Sequence, residues 1–211
     1  MRTVIPLILT SLLLLLNPMS VLASEQNAVF AGGCFWCLEH DLEKVRGVLS
    51  AESGYSGGSL ENPTYQQVSG EKSGHQEVVR VQFDPEKISY SDLLLHYWRN
   101  IDPLDGQGQF CDRGDSYRPV IFTDGEKQAV IARDSAASAA NELGVSQNKI
   151  KVQIRKAKRF WPAEKYHQNY AVNNELRYRY YRFSCGRDRR LDAVWGKRAR
   201  TGADWLQAGQ Q

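Results

Sequence analysis

The sequence of 211 residues lacks a strong net charge, a second pair of closely spaced cysteines and any internal repeat. Lysine and arginine exceed aspartate and glutamate by only 3 charges, so the charge balance gives no reason to expect a nucleic-acid partner. A structural zinc site usually needs two ligand pairs. Because only one Cys-x-x-Cys pair is present, we expect no bound metal.

A long apolar run occurs only at the N-terminus. Arg2 precedes an apolar stretch that extends to Leu16, and Ala23 ends a small-residue cleavage pattern. This arrangement predicts a secretory signal peptide over residues 1–23 and therefore an exported, periplasmic protein that is not inserted in a membrane after cleavage. An uncleaved membrane anchor is the alternative. Residues 24–211 have the length of a single domain, with a C-terminal tail from about residue 171.

The periodicity of apolar residues predicts alternating strands and helices. Alternation or short apolar runs predict strands at 28–31, 48–56, 77–83, 119–122 and 149–154. Capping boxes predict helices after Ser89, with Asp92, and after Thr123, with Glu126. The order predicts an α+β fold, a two-layer sandwich with a mixed sheet (a ferredoxin-like α/β plait) plus long loops and a wrapping C-terminal tail.

Four cysteines are present, at positions 34, 37, 111 and 185. Exported proteins often use cysteines as structural disulfides, but a domain of this size does not need them for stability. Cys34 follows Gly32-Gly33 at the junction of the strand predicted at 28–31 and a helix that the spacing of Leu38, Leu42 and Val45 predicts. A helix N-terminus favours a thiolate, so the position predicts a lowered thiol pKa and a nucleophilic Cys34.

Five motifs occur in order: GGCFWCLEH (32–40), GYSGG (54–58), NPTYQQVSGEKSGHQEVVRVQFDP (62–85), CDRGDSYRPVIF (111–122) and EKYHQNY (164–170). Together they resemble the peptide-methionine (S)-S-oxide reductase A family over roughly residues 29–170. The resemblance implies a catalytic domain that reduces the S epimer of methionine sulfoxide, either free or within oxidised proteins.

The resemblance also implies the catalytic residues. Cys34 matches the family nucleophile, whose thiolate attacks the sulfoxide sulfur and becomes a sulfenic acid. Glu77, Tyr65 and Tyr117 match the residues that protonate or hydrogen-bond the sulfoxide oxygen. A carboxyl in an apolar site has a raised pKa and can donate a proton at neutral pH.

Three further positions match the family's substrate site. Phe35 and Trp36 resemble the apolar pocket for the substrate methyl group, and Asp112 matches a polar residue near the substrate. Without the resemblance, these aromatic residues would be ordinary core and Asp112 a turn residue. His167 lies in a matching motif, but we assign it no chemical role.

The sequence departs from the family pattern at two cysteines. The family usually has glycine at the position of Cys37 and another residue at the position of Cys111. The sulfenic acid must condense with a second thiol. Cys185 matches the usual C-terminal resolving position and is our first candidate, followed by Cys37 and then Cys111.

The implied partners are few. We expect no bound cofactor, an external thioredoxin-like dithiol as reductant, and a monomer.

Two other functions compete with this interpretation. A general thiol-disulfide oxidoreductase could use Cys34 and Cys37, and such a protein would have a cis-proline opposite the site. A non-catalytic secreted domain would use the four cysteines as two structural disulfides.

Overall fold

The computed structural model describes residues 25–205. The strands are β1 (Gln26–Ala31), β2 (Val48–Ser56), β3 (Gln76–Phe83), β4 (Gly108–Gln109), β5 (Asp112–Arg113), β6 (Val120–Thr123), β7 (Gln153–Lys156) and β8 (Trp161–Pro162). The helices are α1 (Phe35–Glu43), α2 (Tyr65–Ser69), α3 (Tyr90–Trp98), α4 (Gly125–Glu142), α5 (Tyr170–Asn173), α6 (Glu175–Ser184) and α7 (Arg187–Trp195). Short 3-10 turns include Asp115–Tyr117 and Lys165–His167.

Six strands form one sheet in the order β7-β6-β1-β3-β2-β8. The pairings β1–β3, β1–β6, β2–β3 and β2–β8 are antiparallel, and β6–β7 is parallel. Strands β4 and β5 form a separate two-stranded hairpin. The predicted α+β fold with a mixed sheet is therefore confirmed.

The capping-box predictions had different outcomes. Ser89 caps α3, since its side chain accepts from the Asp92 amide and the Asp92 side chain accepts from the Ser89 amide. The prediction at Thr123 is wrong. Asp124 precedes the first residue of α4, and its amide donates to Gln128 Oε1 at 2.9 Å. Thr123 instead remains in the last position of β6 and bonds to the β7 backbone.

Two sequence boundaries also need correction. The strand predicted at 149–154 lies at 153–156, because residues 147–149 form a 3-10 turn before the chain pairs with β6. Residues 102–117, one of the long loops expected from the sequence, contain the β4–β5 hairpin and a further 3-10 turn. Local backbone pairing within this segment fixes its conformation.

The core includes residues from both ends of the described chain. Phe30 and Leu38 are buried with Trp98, and Leu191 and Trp195 of α7 belong to the same cluster. The Trp195 indole donates to the Ile101 carbonyl at 2.9 Å. The segment from residue 171 thus folds into helices, and α7 contributes to the core as well as covering it.

The predicted signal peptide, residues 1–23, lies outside the described residues. Within residues 25–205, no helix combines the length and apolar character needed to cross a membrane. The division of the chain into a signal peptide and one domain from residue 24 stays a prediction.

Candidate active site

The double glycine places Cys34 at the start of α1. Cys34 is the residue before the helix, and its carbonyl accepts the amides of Cys37 and Leu38. Gly33 has φ +80°, and a Cβ there would lie 2.7 Å from Cβ of Gln109. Glycine is needed because the backbone is left-handed and the hairpin approaches it closely. The predicted strand-to-helix position of Cys34 is confirmed.

Both thiols at the start of α1 are buried and free, with exposures of 6% for Cys34 and 2% for Cys37. Burial and a hydrogen bond to Cys37 raise the pKa of the Cys34 thiol. The hydrogen bond from Cys34, with help from the charges of Arg187 and Arg182, lowers the pKa of Cys37. The prediction of a lowered pKa at Cys34 is therefore wrong, since desolvation exceeds the effect of the helix N-terminus.

Glu77 lies on β3, next to the start of α1. Its Oε2 accepts a 3.0 Å hydrogen bond from the Phe35 amide. Burial raises the pKa of Glu77 to about 8, because desolvation outweighs the opposing effect of this hydrogen bond. The carboxyl therefore carries its proton at neutral pH, as a general acid requires. The role of Glu77 as the acid of the reaction stays a prediction.

Tyr65, at the start of α2, and Tyr117, in the 3-10 turn Asp115–Tyr117, meet through a hydrogen bond between their hydroxyls. Burial raises the pKa of both phenols, so both remain protonated. The Tyr65 amide donates to Glu164 at 2.8 Å, which fixes the start of α2. Glu71 accepts from the amide of Asp115 and from the hydroxyl of Ser116, which fixes the turn that carries Tyr117.

Aromatic rings form a wall beside Cys34. Trp36 stacks on Tyr170 with ring centroids 3.7 Å apart, and its indole donates to Nδ1 of His167 at 3.0 Å. The His167 ring also lies 4.9 Å from Phe35 and 4.5 Å from Tyr65. Burial lowers the pKa of His167, so the ring is neutral and can accept this hydrogen bond. The histidine thus orients the ring of Trp36.

Asp112 connects the β4–β5 hairpin to the nucleophile. Its carboxylate accepts the amide of Cys34 and, at 2.6 Å, the hydroxyl of Tyr181. Burial raises the pKa of Asp112, while Arg187 opposes the rise. Tyr181 also meets Trp36 edge to face at 5.9 Å. Helix α6 therefore contributes directly to the site.

The remaining two cysteines form a disulfide, Cys111–Cys185, with Cα atoms 5.0 Å apart. The structure therefore brings Cys34 and Cys37 together as thiols and joins the first and third resolving candidates to each other. Among residues 25–205, the only close group of potential metal ligands is Cys111, Asp112 and Cys185. The disulfide engages both of its sulfur atoms.

Sequence reasoning missed several residues that position the site. Tyr55 pairs with Glu77 across β2 and β3, and its hydroxyl donates to Glu164 at 2.7 Å. Glu39 accepts from Ser53 and from the amide of Asn169, holding the 167–170 segment against α1. The GYSGG, EKYHQNY and GGCFWCLEH motifs contain Tyr55, Glu164 and Glu39, but they did not indicate these roles. Tyr181 had no such signal.

The arrangement can combine sulfur attack with proton donation. A thiol, a neutral carboxyl and two phenols converge where an apolar wall can hold a small alkyl group. A substrate with a polarised, oxygen-bearing atom would present that atom to Cys34 and its oxygen to Glu77 and the tyrosines.

Comparison with known proteins identifies a family whose sequence pattern this chain matches. The family described as peptide methionine sulfoxide reductase matches residues 26–199. The chain is 54% identical over 171 residues to peptide methionine sulfoxide reductase MsrA 2 of Caulobacter vibrioides, covering 81% of this chain and 86% of that protein. It is 48% identical over 180 residues to the protein of the same name from Rhizobium meliloti, covering 85% and 88%.

Solved structures agree in fold. Methionine sulfoxide reductase A of Corynebacterium diphtheriae superposes with a TM-score of 0.65 at 29% identity, covering 72% of this chain and 76% of that chain. Reduced Mxr1 of Saccharomyces cerevisiae gives a TM-score of 0.64 at 28% identity, covering 72% and 87%.

Proposed function

The chain belongs to the peptide methionine sulfoxide reductase family, and from this membership we propose that it reduces methionine S-sulfoxide, free or within oxidised proteins, to methionine. The observation that carries the proposal is the neutral carboxyl of Glu77 beside the buried thiol of Cys34. Oxide is a poor leaving group, so reduction of a sulfoxide needs a nucleophile at sulfur and an acid at oxygen.

The first step is attack by Cys34 on the sulfoxide sulfur. Cys34 donates a hydrogen bond to the Cys37 sulfur, so Cys37, reacting as the thiolate, takes up the Cys34 proton as the new sulfur–sulfur contact forms. Glu77 transfers its proton to the sulfoxide oxygen, which the Tyr65 and Tyr117 hydroxyls hold. The oxygen passes to Cys34 as methionine departs, leaving a sulfenic acid on Cys34.

The second step resets the nucleophile. The Cys37 thiol condenses with the sulfenic acid on Cys34, forming a disulfide and releasing water. We place Cys37 ahead of Cys185 in this step because Cys185 is already bonded to Cys111, whereas Cys37 is free and adjacent to Cys34. An external thioredoxin-like dithiol then supplies the two electrons.

Selectivity for one epimer follows from two unlike walls, and the family resemblance implies that this is the S epimer. Phe35 and Trp36 provide the apolar side for the methyl group, and the protonated oxygen donors lie around Glu77. With methyl and oxygen assigned to different walls, only one configuration at sulfur directs the remaining substituent outward.

The test is an assay of each epimer of methionine sulfoxide with dithiothreitol as reductant. We expect turnover of the S epimer and none of the R epimer, and Cys34→Ser should abolish turnover. Full reduction of the S epimer by the Cys34→Ser enzyme would refute the proposal.

The rival function is general thiol–disulfide exchange at Cys34 and Cys37. Two observations oppose it. Both sulfurs are buried, out of reach of a protein disulfide, and every peptide bond between residues 25 and 205 is trans, so the expected cis-proline is missing there. Reduction of insulin disulfides at a rate comparable to sulfoxide reduction would favour the rival.

Three further statements belong to the proposal. The order β6-β1-β3-β2 supports a ferredoxin-like plait as the central unit of the sheet. The N-terminal pattern of residues 1–23 supports export to the periplasm, which implies a reductant available in that compartment. We also propose that the enzyme acts as a monomer, because Cys34, Glu77 and the two tyrosines of one chain are sufficient to assemble the site.

A further inference from the structure

Helix α1 presents Cys37 and Asp41 on the same face, because the two residues lie one helical turn apart. Cys37 is 2% exposed and packs with Ala171 and Tyr178. Asp41 is half-buried. Since the sulfur of Cys37 is shielded from water, the stability of its thiolate depends on the charges that neighbouring elements bring to this face.

Arg182 of α6 reaches this face through Asp41. Its Nη1 donates to Oδ1 and Oδ2 of Asp41 at 3.0 and 2.9 Å, and to the Tyr178 hydroxyl at 2.8 Å. Its Nε donates to Oδ2 of Asp188 at 3.0 Å, and its Nη2 donates to Oδ1 at 2.7 Å. These contacts on two sides hold the guanidinium of Arg182 beside the face of α1 that carries Cys37.

Arg187 is the first residue of α7 and is 1% exposed. Its Nη2 donates to the Asn100 carbonyl at 2.7 Å. Its Nε lies 3.8 Å from Oδ2 of Asp41 and has no hydrogen-bond partner within residues 25–205. A buried cation needs nearby anions to offset its lost hydration. Because Asp41 is shared with Arg182, the guanidinium of Arg187 can stabilise a further anion.

The titratable groups that face Cys37 are Cys34 and Asp41 of α1, Glu77 of β3, Tyr178, Tyr181 and Arg182 of α6, and Arg187 of α7. Burial raises the pKa of the Cys34 thiol, the Glu77 carboxyl and both phenols, so these groups are uncharged at neutral pH. Two guanidinium groups and one carboxylate therefore carry the charge around this sulfur. The hydrogen bond from Cys34, followed by Arg187 and Arg182, lowers the pKa of Cys37, against burial and the charge of Asp41.

We propose that Arg182 and Arg187 are positioning residues of the resetting step, in which they stabilise the Cys37 thiolate that attacks the sulfenic acid on Cys34. The inference rests on the proposed function, which generates that sulfenic acid. The Cys37 thiol gives up its proton, and its sulfur bonds to the Cys34 sulfur as the S–O bond breaks. The departing hydroxide takes up a proton and leaves as water. Cys37 is thereby oxidised, and the sulfenic sulfur is reduced to the level of a disulfide.

Asp41 allows an electrostatic role to be separated from a structural one. Removing either Arg182 or Asp41 breaks the same ion pair, so a purely structural role predicts similar losses in the two variants. An electrostatic role predicts opposite effects, because Arg182→Met removes a positive charge near Cys37 whereas Asp41→Asn removes a negative one.

The test follows a single turnover across the pH range in which a thiol titrates. The enzyme, with free Cys34 and Cys37 and an intact Cys111–Cys185 bond, receives one equivalent of methionine S-sulfoxide without reductant. Acid quenching and mass spectrometry then measure methionine, the sulfenic acid and the Cys34–Cys37 disulfide over time. The rate of disulfide formation from the sulfenic acid reports the charge state of Cys37.

In Arg182→Met, the midpoint of the pH profile for disulfide formation should rise by about one pH unit. Below the midpoint the rate should fall about threefold, because an approximately tenfold loss of thiolate is partly offset by the greater nucleophilicity of a more basic thiolate. Above the midpoint the variant should be at least as fast as the wild type. Arg187→Met should act in the same direction, Asp41→Asn should lower the midpoint, and Arg182→Lys, which keeps the charge, should restore it.

Arg179→Met is the matched control, because Arg179 also lies on α6 but its side chain is 72% exposed and pairs with Glu175. Its profile should coincide with that of the wild type. Slowing by the same factor at every pH in both Arg182→Met and Asp41→Asn would overturn the proposal, as would unchanged profiles in both. Asp41→Asn alone decides the question if Arg182→Met does not fold. If the wild-type enzyme formed no methionine, the proposed function would be refuted instead.

Discussion

The hydroxyl of Tyr181 donates a 2.6 Å hydrogen bond to Oδ2 of Asp112. Asp112 in turn accepts the backbone amide of Cys34. A residue of α6 therefore holds the carboxylate that contacts the nucleophile. Burial, reinforced by the nearby charges, raises the pKa of Tyr181, so the phenol is a permanent donor in this contact.

Replacing Tyr181 with Phe should lower kcat/KM for methionine S-sulfoxide by about 10- to 100-fold, because a hydrogen bond to a charged group contributes about 1.5–3 kcal/mol. Steady-state kinetics with dithiothreitol measure the effect. The matched control is Tyr180→Phe, since Tyr180 is the neighbouring residue of α6 and is 75% exposed. Equal kinetics for the two variants would show that Tyr181 does not position Asp112.

Replacing Glu77 with Gln should lower kcat by about 10²- to 10⁴-fold, because glutamine keeps the acceptor for the Phe35 amide but has no proton to transfer. In the wild-type enzyme the acid is active below its pKa of about 8, so kcat/KM should fall as the pH rises through that value. A pH–rate profile of both enzymes measures the effect.

The same pKa has a consequence for stability. A carboxyl whose pKa is higher in the folded protein stabilises the fold fully below its unfolded pKa and loses this contribution as the pH rises through about 8. The free energy of unfolding of Glu77→Gln, relative to that of the wild type, should therefore increase as the pH is raised from 5 to 9. Glu86→Gln, at an exposed position, is the control. A constant difference across this range would argue against a neutral Glu77.

The local parts of the site could be predicted from sequence. The Gly32-Gly33 turn, the position of Cys34 and the strand with Glu77 depend on residues within a few positions of one another. Apolar periodicity and turn chemistry report such short-range structure. The roles of Tyr65 and Tyr117 came only from the family resemblance, since no local pattern distinguishes these two tyrosines from ordinary aromatic residues.

The long-range parts could not be predicted. The disulfide joins residues 74 positions apart, and the contact between Tyr181 and Asp112 spans 69 positions. The pKa of Cys34 was predicted in the wrong direction for the same reason. The helix N-terminus is visible in the sequence, whereas the burial that outweighs it depends on packing by the whole chain.

Replacing Arg99 with Leu should lower the free energy of unfolding by about 1.5–3 kcal/mol, because it removes buried charge-assisted hydrogen bonds to Glu142, while Arg198 keeps its contact with Glu142 at 3.2 Å. Arg99 is fully buried and contacts Glu142 at 2.8 Å. Arg133→Leu is the control, since Arg133 pairs with Glu126 in solvent and such pairs contribute at most about 1 kcal/mol. Urea unfolding measures both, and similar losses would contradict the assignment of Arg99 as a core ion pair.

Replacing Gly33 with Ala should cost more stability than replacing Gly125 with Ala, although both glycines have φ +80°. The backbone strain of about 1–2 kcal/mol is common to both variants. At Gly33 the new Cβ would also lie 2.7 Å from Cβ of Gln109, whereas at Gly125 nothing lies within 4 Å. The contact should add about 1–3 kcal/mol in urea unfolding. It should also lower kcat, because relief of the contact moves Cys34 away from Glu77. Equal stability and unchanged kcat in the two variants would mean that the β4–β5 hairpin does not determine the position of Cys34.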